Sequence, residues 1–225
     1  MSTVHVRVRT VHGVQEGDWA VLADTERERA SRRIAQAPFV TAHAALHQLV
    51  AEHVDIDPRK VVVGRRCPSC DSDRHGRPFV ADHPDIWVSL SYSPDKVVVA
   101  LTAVGPVGVD VEGVEATDFD GFDMVTLAAC EQTALSPLRG HDLLSARARL
   151  WARKEAILKA TGYGLVVDPT QVVVAGWNDT AALVEWRGAQ PEPPAVALVD
   201  VPLDDDHHRA SLAVLATVPV AVHQS

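Results

Sequence analysis

Aromatic residues, cysteines and long apolar runs are all scarce in this sequence. Phe, Trp and Tyr make up 5% of the 225 residues, so Val, Leu and Ala must supply most of the core. Three cysteines, an odd number, argue against a disulfide framework and indicate a reducing compartment. No stretch approaches the roughly 20 apolar residues of a membrane-spanning helix. The first residues alternate apolar and polar side chains, unlike a signal peptide. We therefore expect a cytoplasmic protein with no membrane partner.

Lysine is scarce as well. Of the 21 basic residues 17 are Arg and four are Lys, and 30 acidic residues give a net charge of −9. This balance argues against a nucleic-acid partner. Lys154 and Lys159 nevertheless lie within six residues of each other. Because Lys is a compact point charge that can release a proton, whereas Arg stays charged, this pair is either a chemical choice or chance.

The hydrophobic pattern predicts the same order of elements in each half of the chain: one strand, then helices, then several strands. The predicted strands cover residues 4–11, 60–65, 78–81, 86–92, 96–104, 107–112, 171–175, 182–187, 195–201 and 210–217. One predicted helix begins near residue 24, and three others cover residues 39–54, 124–135 and 141–161. This order predicts an α+β fold with an internal pseudo-repeat. Gly105-Pro106 is the natural hinge, which gives an N-terminal lobe of residues 1–105 and a C-terminal lobe of residues 106–225.

Two carboxylates alternate along the predicted strand at residues 107–112. Asp110 and Glu112 are two residues apart, so they share one face of the strand, while Val109 and Val111 point into the core. Such neighbours repel unless a cation lies between them or one is protonated. Carboxylate oxygens suit Mg²⁺, which takes one or two of them with phosphate and water oxygens. The alternative is an edge strand with a solvated acidic face.

The long predicted helix carries a second group of candidates. Trp151, Glu155 and Lys159 follow one another at a spacing of four residues, so they share one face of this helix. Either Glu155 and Lys159 form an ordinary surface pair worth about 0.3–0.5 kcal/mol, or they are a third metal carboxylate and a phosphate partner. The helix by itself does not separate these interpretations.

Together, Gly-Val-Asp-Val-Glu at 108–112 and Trp-x-x-Lys-Glu-Ala-x-x-Lys-x-x-Gly-x-Gly-Leu at 151–165 resemble the two signature motifs of the Sfp-type 4′-phosphopantetheinyl transferases, in the holo-carrier-protein synthase superfamily. Upstream, Gly76-Arg77-Pro78 resembles the family's Gly-Lys-Pro turn, and Ser89 to Ser93 resembles its Ser-His-Ser strand end, with Tyr92 where the family has His. The resemblance implies two similar α/β lobes that form an internal pseudo-dimer, each a small sheet packed with helices.

The resemblance also implies residue roles. Asp110, Glu112 and Glu155 correspond to the Mg²⁺ ligands, Glu155 also to the base that takes the acceptor proton, and Lys159 to the proton donor for the leaving group. The catalytic set is thus Asp110, Glu155 and Lys159. The implied coenzyme A contacts are Arg77, Ser91, Tyr92, Asp110, Lys154, Glu155 and Lys159. The N-terminal arginine that binds coenzyme A is not identified by its position, and Arg32 and Arg33 are candidates.

The implied activity is Mg²⁺-dependent transfer of 4′-phosphopantetheine from coenzyme A to a serine of an apo acyl or peptidyl carrier protein, with release of 3′,5′-ADP. This would serve fatty-acid or secondary-metabolite biosynthesis. A monomer is expected, with the carrier docking near residues 119–135. The alternative is a module that binds coenzyme A or a carrier without turnover.

Two cysteine motifs remain. Cys67 and Cys70 with His75 make half of a zinc site, and because a structural zinc site needs four ligands, a loop turn is the favoured interpretation. Cys130 is expected in the core.

Overall fold

The computed structural model describes residues 2–68, 70–73 and 75–225, and the chain divides into two units. The first unit comprises residues up to Gly105 together with Val220–Ser225, and the second comprises Pro106–Pro219. The last six residues leave the predicted C-terminal lobe because they form a strand that pairs in parallel with residues 2–6. The sequence pattern did not predict this strand.

The helices and strands of the described residues are, in chain order, β1 (Ser2–Thr10), α1 (Glu16–Val21), α2 (Asp24–Ser31), α3 (Gln36–Val54), β2 (Val63–Arg66), β3 (Arg77–Val80), β4 (Trp87–Tyr92), β5 (Lys96–Thr102), β6 (Val107–Gly113), α4 (Phe122–Thr126), α5 (Ala129–Leu135), α6 (Gly140–Thr161), β7 (Val172–Val174), β8 (Leu183–Trp186), β9 (Ala197–Val201), β10 (His208–Val214) and β11 (Val220–Gln224). None of these helices combines the length and the apolar character that crossing a bilayer requires.

The first unit is built on one sheet with the strand order β11-β1-β5-β4-β3-β2. Every residue of β5 is buried, since it lies between β1 and β4 in the sheet and α3 packs across it. The helix α3 is rich in Ala and Val, which allows it to approach the sheet closely. It ends at Asp55, which adopts a left-handed conformation with φ of 55°.

A buried carboxylate joins α2 to α3 in this unit. The Glu26 oxygens lie 2.6 Å from His43 Nδ1 and 2.9 Å from His47 Nε2, and one of them accepts the backbone N–H of Ala23 at the start of α2. Burial raises the pKa of Glu26, but the hydrogen bonds from His43 and His47 outweigh it and hold that pKa well below its usual range. The cluster therefore stabilises the packing of α2 on α3.

Replacing Glu26 by Gln is expected to lower the free energy of unfolding by about 3 kcal/mol at pH 7, because it removes the charge that two buried histidines face. A carboxylate with a depressed folded-state pKa stabilises above its unfolded value of 4.5 and loses that contribution as the pH falls. The difference between the two proteins should therefore shrink below pH 4.5. Denaturant unfolding at several pH values measures it. Glu28→Gln, at a surface pair with Arg32, is the control and should change stability little.

The second unit contains the antiparallel sheet β6-β10-β9, with α6 packed across β6 and β10, and the separate hairpin β7-β8. The core is formed by apolar residues of α6, β7 and the sheet. Gly162 ends α6 with φ of 77°, as expected for a helix C-terminal glycine. The predicted helix at 124–135 is instead two helices, α4 and α5. Leu127 and Ala128 are extended between them, and the side chain of Glu131 accepts the N–H of Ala128 to begin α5.

Both units combine sheets and helices, so the α+β prediction is confirmed. The internal pseudo-dimer stays a prediction. Cys130 is exposed on α5, so its expected place in the core is wrong: it lies on the helix face that points away from Leu135.

Candidate active site

The candidate site of the second unit lies where α6 crosses β6. Asp110 and Glu112 are on the strand, and Glu155 and Lys159 are one turn apart on the helix. Asp110 is 2% exposed, and Lys159 Nζ lies 2.6 Å from Asp110 Oδ1 and 3.2 Å from the carbonyl oxygen of Val109. The strand and helix candidates are therefore brought together by a direct ion pair.

Helix and strand approach closely here because Gly108 has no side chain. A Cβ atom built on Gly108 would lie 2.5 Å from the backbone nitrogen of Ala160 and closer still to the carbonyl oxygen of Ala156. Any other residue would push α6 away from β6. The glycine that begins the Gly-Val-Asp-Val-Glu segment thus sets the distance across which Lys159 reaches Asp110.

The carboxylates affect one another strongly. Burial, followed by the charge of Asp110, raises the pKa of Glu112 to about 8, although the indole of Trp151 donates a hydrogen bond to it. Burial and the charge of Asp110 also raise the pKa of Glu155 to about 7, against the opposing effect of Lys159. One buried and two half-buried acids share a single lysine and are short of positive charge, so both glutamates gain affinity for protons.

This shortage of charge suits a divalent cation. Among the described residues the three carboxylates do not form a group whose oxygens all lie within 4.8 Å of one another, so they are not a closed cage. Mg²⁺ does not require one, because it usually retains water and phosphate oxygens beside one or two protein carboxylates. The all-oxygen donor set and the raised pKa values of two of its members therefore fit Mg²⁺ held by Asp110, Glu112 and Glu155.

An apolar cleft of about 670 Å³ adjoins these residues in the second unit, with Glu112 and Trp151 in its lining. Several large apolar side chains on its border are exposed to solvent: Phe119, Met124, Val125, Leu165 and Val166. Neighbouring exposed apolar side chains of this kind commonly mark a binding surface. Part of this surface falls within residues 119–135, where a carrier protein is expected to dock.

The other predicted contacts, Arg77, Ser91 and Tyr92, belong to the first unit. The Arg77 guanidinium lies over the Trp87 ring, 5.4 Å from its centre, and Ser91 is buried on β4. Tyr92 ends β4 and lines a cleft of about 660 Å³ whose lining also includes Arg32 and Arg33.

Arg65, on β2 of this unit, was not among the site residues predicted from the sequence. Burial, followed by the charge of Arg29, lowers the pKa of the Arg65 guanidinium, and Arg33 acts in the same direction. The charges of Tyr92 and Glu26 oppose these two effects, so Arg65 lies in a region where several charged groups act on it. The sequence signal was the Arg65-Arg66 pair at the end of a strand, which has no acidic neighbour before Asp71.

Comparison with known proteins assigns the second unit. Residues 106–213 match the family model described as the 4′-phosphopantetheinyl transferase superfamily. This segment carries β6, α6 and all three carboxylates. It belongs to the 4′-phosphopantetheinyl transferase superfamily. The resemblance to 4′-phosphopantetheinyl transferases that the two motifs indicated is therefore confirmed for this part of the chain.

Curated relatives in this superfamily match over part of their length. The 4′-phosphopantetheinyl transferase AcpT of Salmonella typhimurium is 31% identical over 88 residues, 39% of this chain and 46% of the relative. The 4′-phosphopantetheinyl transferase psf-1 of Bacillus pumilus is 32% identical over 103 residues, 42% of this chain and 40% of the relative. A putative transferase of Synechocystis, slr0495, is 27% identical over 165 residues, 70% of this chain and 63% of the relative. The matched segments thus span about half of the length of these relatives.

Within the transferase-superfamily segment, Lys154 lies apart from the carboxylates. It is fully buried, and its Nζ lies 2.6 Å from Glu131 and donates to the carbonyl oxygen of Pro169 at 3.0 Å. Glu131 also accepts the N–H of Val174 on β7. Lys154 thus ties α6 to α5 and β7, and this geometry favours a structural role over the coenzyme contact expected from the motif.

Substituting Lys154 by Met separates the two roles. We expect the free energy of unfolding to fall by about 3–5 kcal/mol, because Glu131 would be left as an uncompensated buried charge. Coenzyme A affinity, measured by calorimetry on the folded fraction at low temperature, should stay close to that of the unmodified protein. Exposed Lys60→Met serves as the control. Normal stability with lost coenzyme affinity would restore the motif-based assignment.

Proposed function

We propose that this protein transfers 4′-phosphopantetheine from coenzyme A to a serine of an apo acyl or peptidyl carrier protein and releases 3′,5′-ADP. The observation that carries the proposal is the Asp110, Glu112, Glu155 and Lys159 constellation inside the segment that matches the transferase superfamily. The names of the relatives support the same reaction. We further propose that it acts as a cytoplasmic monomer.

Asp110, Glu112 and Glu155 would hold Mg²⁺, which when bound supplies positive charge to the diphosphate oxygens of coenzyme A. The serine oxygen forms a bond to the β-phosphorus of coenzyme A as the bond from that phosphorus to the bridging oxygen breaks. Glu155 would also accept the serine proton, or position the group that does. Lys159 provides charge and a proton to the departing 3′,5′-ADP.

Coenzyme and carrier would use the surfaces described above. We propose Arg77, Ser91 and Tyr92 as coenzyme contacts, with Tyr92 serving where the family has His. The exposed apolar border of the cleft beside Glu112 suits the carrier, since a protein with a net charge of −9 gains little from electrostatic attraction to an acidic carrier.

The test is incubation with coenzyme A, Mg²⁺ and a panel of apo fatty-acid, polyketide and peptide carriers, followed by mass spectrometry of each carrier. A gain of one phosphopantetheine group, absent when the acceptor serine is replaced by Ala, supports the proposal. Binding of coenzyme A or a carrier without any mass gain would instead indicate the non-catalytic module.

Lys159→Arg is expected to lower turnover by about 10²-fold with a smaller change in coenzyme affinity. A guanidinium is larger, planar and almost never deprotonated, so it delivers neither a proton nor a point charge at the position of Nζ. Steady-state kinetics separates kcat from KM. Arg147→Lys, at an ion pair with Asp123 elsewhere on α6, is the matched control. Equal turnover for Lys and Arg at position 159 would reduce this residue to a generic cation.

A further inference from the structure

We propose that the first unit binds a Zn²⁺ ion through Cys67, Cys70 and His75. One ligand atom from each residue can be chosen so that all three lie within 4.8 Å of one another, and Cys70 Sγ lies 3.4 Å from His75 Nε2. Among the described residues this is the one group of three or more potential His, Cys, Asp or Glu ligands packed so closely. The sequence alone favoured a loop turn here, and it is the proximity of His75 that changes this interpretation.

The spacing of the three atoms suits a tetrahedral metal. With Zn–S bonds of about 2.3 Å and Zn–N bonds of about 2.0 Å, sulfur and nitrogen ligands lie about 3.5 Å apart across a tetrahedral ion. The observed separation between Cys70 and His75 is close to this value. Two thiolates and an imidazole are soft to intermediate donors, which favour Zn²⁺ over the hard Mg²⁺ proposed for the second unit.

The backbone of the loop between β2 and β3 already holds a turn that presents both cysteines. The N–H of Asp71 donates to the carbonyl oxygen of Cys67, and the N–H of Cys67 donates to that of Ser72, both at 2.9 Å. Asp71 adopts the left-handed conformation, with φ of 56°. These features reverse the chain immediately after Cys70. Ser69 and Arg74 lie outside the described residues and take no part in the argument.

Gly76 closes the loop at its other end. Its φ is 102°, and a Cβ atom there would lie 2.5 Å from Cys67 Cα and closer still to the carbonyl oxygen of Arg66. The chain therefore returns directly beside Cys67 before β3 begins at Arg77. A metal bound by Cys67, Cys70 and His75 would hold the loop closed where Gly76 approaches Cys67, just before Arg77, the predicted coenzyme contact. We infer an ion with three protein ligands whose fourth position, on the solvent side of exposed Cys70 and His75, is open to water, unlike the closed four-ligand site considered from the sequence.

The test measures zinc directly. The full chain, expressed with added zinc, purified under reducing conditions and desalted, should contain about one zinc per chain by elemental mass spectrometry. The zinc content per chain of Cys70→Ser and of His75→Asn should be at least about tenfold lower, since removing one of three ligands weakens the site strongly. Cys130→Ser, which removes an exposed cysteine of the second unit, is the matched control and should retain it.

Cobalt gives a second readout. Replacing zinc by Co²⁺ should produce thiolate-to-cobalt charge-transfer absorption that Cys70→Ser weakens and Cys130→Ser preserves. Because Cys70 and His75 are exposed, their variants should fold, and circular dichroism verifies this. No retained zinc, equal loss in the Cys130 control, or a disulfide between Cys67 and Cys70 in the reduced preparation would each overturn the proposal. None of these measurements depends on phosphopantetheine transfer, so the zinc site and the proposed function can fail separately.

Discussion

Asp110→Asn is expected to lower the proposed phosphopantetheine transfer by about 10²–10³-fold while the second unit stays folded, as is typical when one preorganised electrostatic group is lost from an active site. Asp110 is the residue that links the whole site: it pairs with Lys159 and its charge raises the pKa of both Glu112 and Glu155. Asn keeps the size of the side chain but removes the charge. Lys159 would lose its anchor, and a cation would lose one of its three carboxylates.

Stability should change little in the same variant. Loss of the ion pair with Lys159 destabilises, but loss of the repulsion felt by two half-buried glutamates stabilises, so these contributions oppose each other. Turnover at saturating Mg²⁺ and the thermal midpoint are measured together. Asp118→Asn, an exposed acid of the same unit, is the control. Near-normal turnover of Asp110→Asn at high Mg²⁺ would contradict the assignment of Asp110 as a metal ligand.

Gly108→Ala is expected to destabilise the second unit by more than about 3 kcal/mol, among the larger effects of a single methyl group. The new Cβ would collide with backbone atoms of α6, at Ala156 and Ala160, and also with the Cβ of Lys159 at 2.9 Å. Backbone of a packed helix cannot move aside as the end of a flexible side chain can. The helix would have to shift away from β6, and Lys159 would move with it.

Gly113→Ala is the matched control for this substitution. It lies at the end of the same strand, and the nearest atom to its built Cβ is the side chain of Ala116 at 3.7 Å, an ordinary van der Waals contact. Denaturant unfolding followed by tryptophan fluorescence measures this, since the second unit contributes three of the five tryptophans, Trp151, Trp177 and Trp186. If both variants unfold at the same denaturant concentration as the unmodified protein, α6 does not depend on Gly108 for its position.

Local periodicity explains how much of the site could be predicted. A spacing of two on a strand places Asp110 and Glu112 on one face, and a spacing of four on a helix does the same for Glu155 and Lys159. Both spacings are properties of the chain itself. The extended region from Leu127 to Ala128 was missed because the residues there are ordinary helix formers, and the break comes from Glu131 capping the following helix.

Which acidic residue each lysine pairs with, by contrast, was decided by the tertiary structure. Lys154 and Lys159 occupy the same helix, yet Lys154 pairs with Glu131 in the core and Lys159 pairs with Asp110 at the site. Sequence motifs record which residue types are present but not which of two lysines finds which acid, since that depends on contacts between residues 23 and 49 positions apart. The pairing of β11 with β1, from opposite ends of the chain, was decided in the same way.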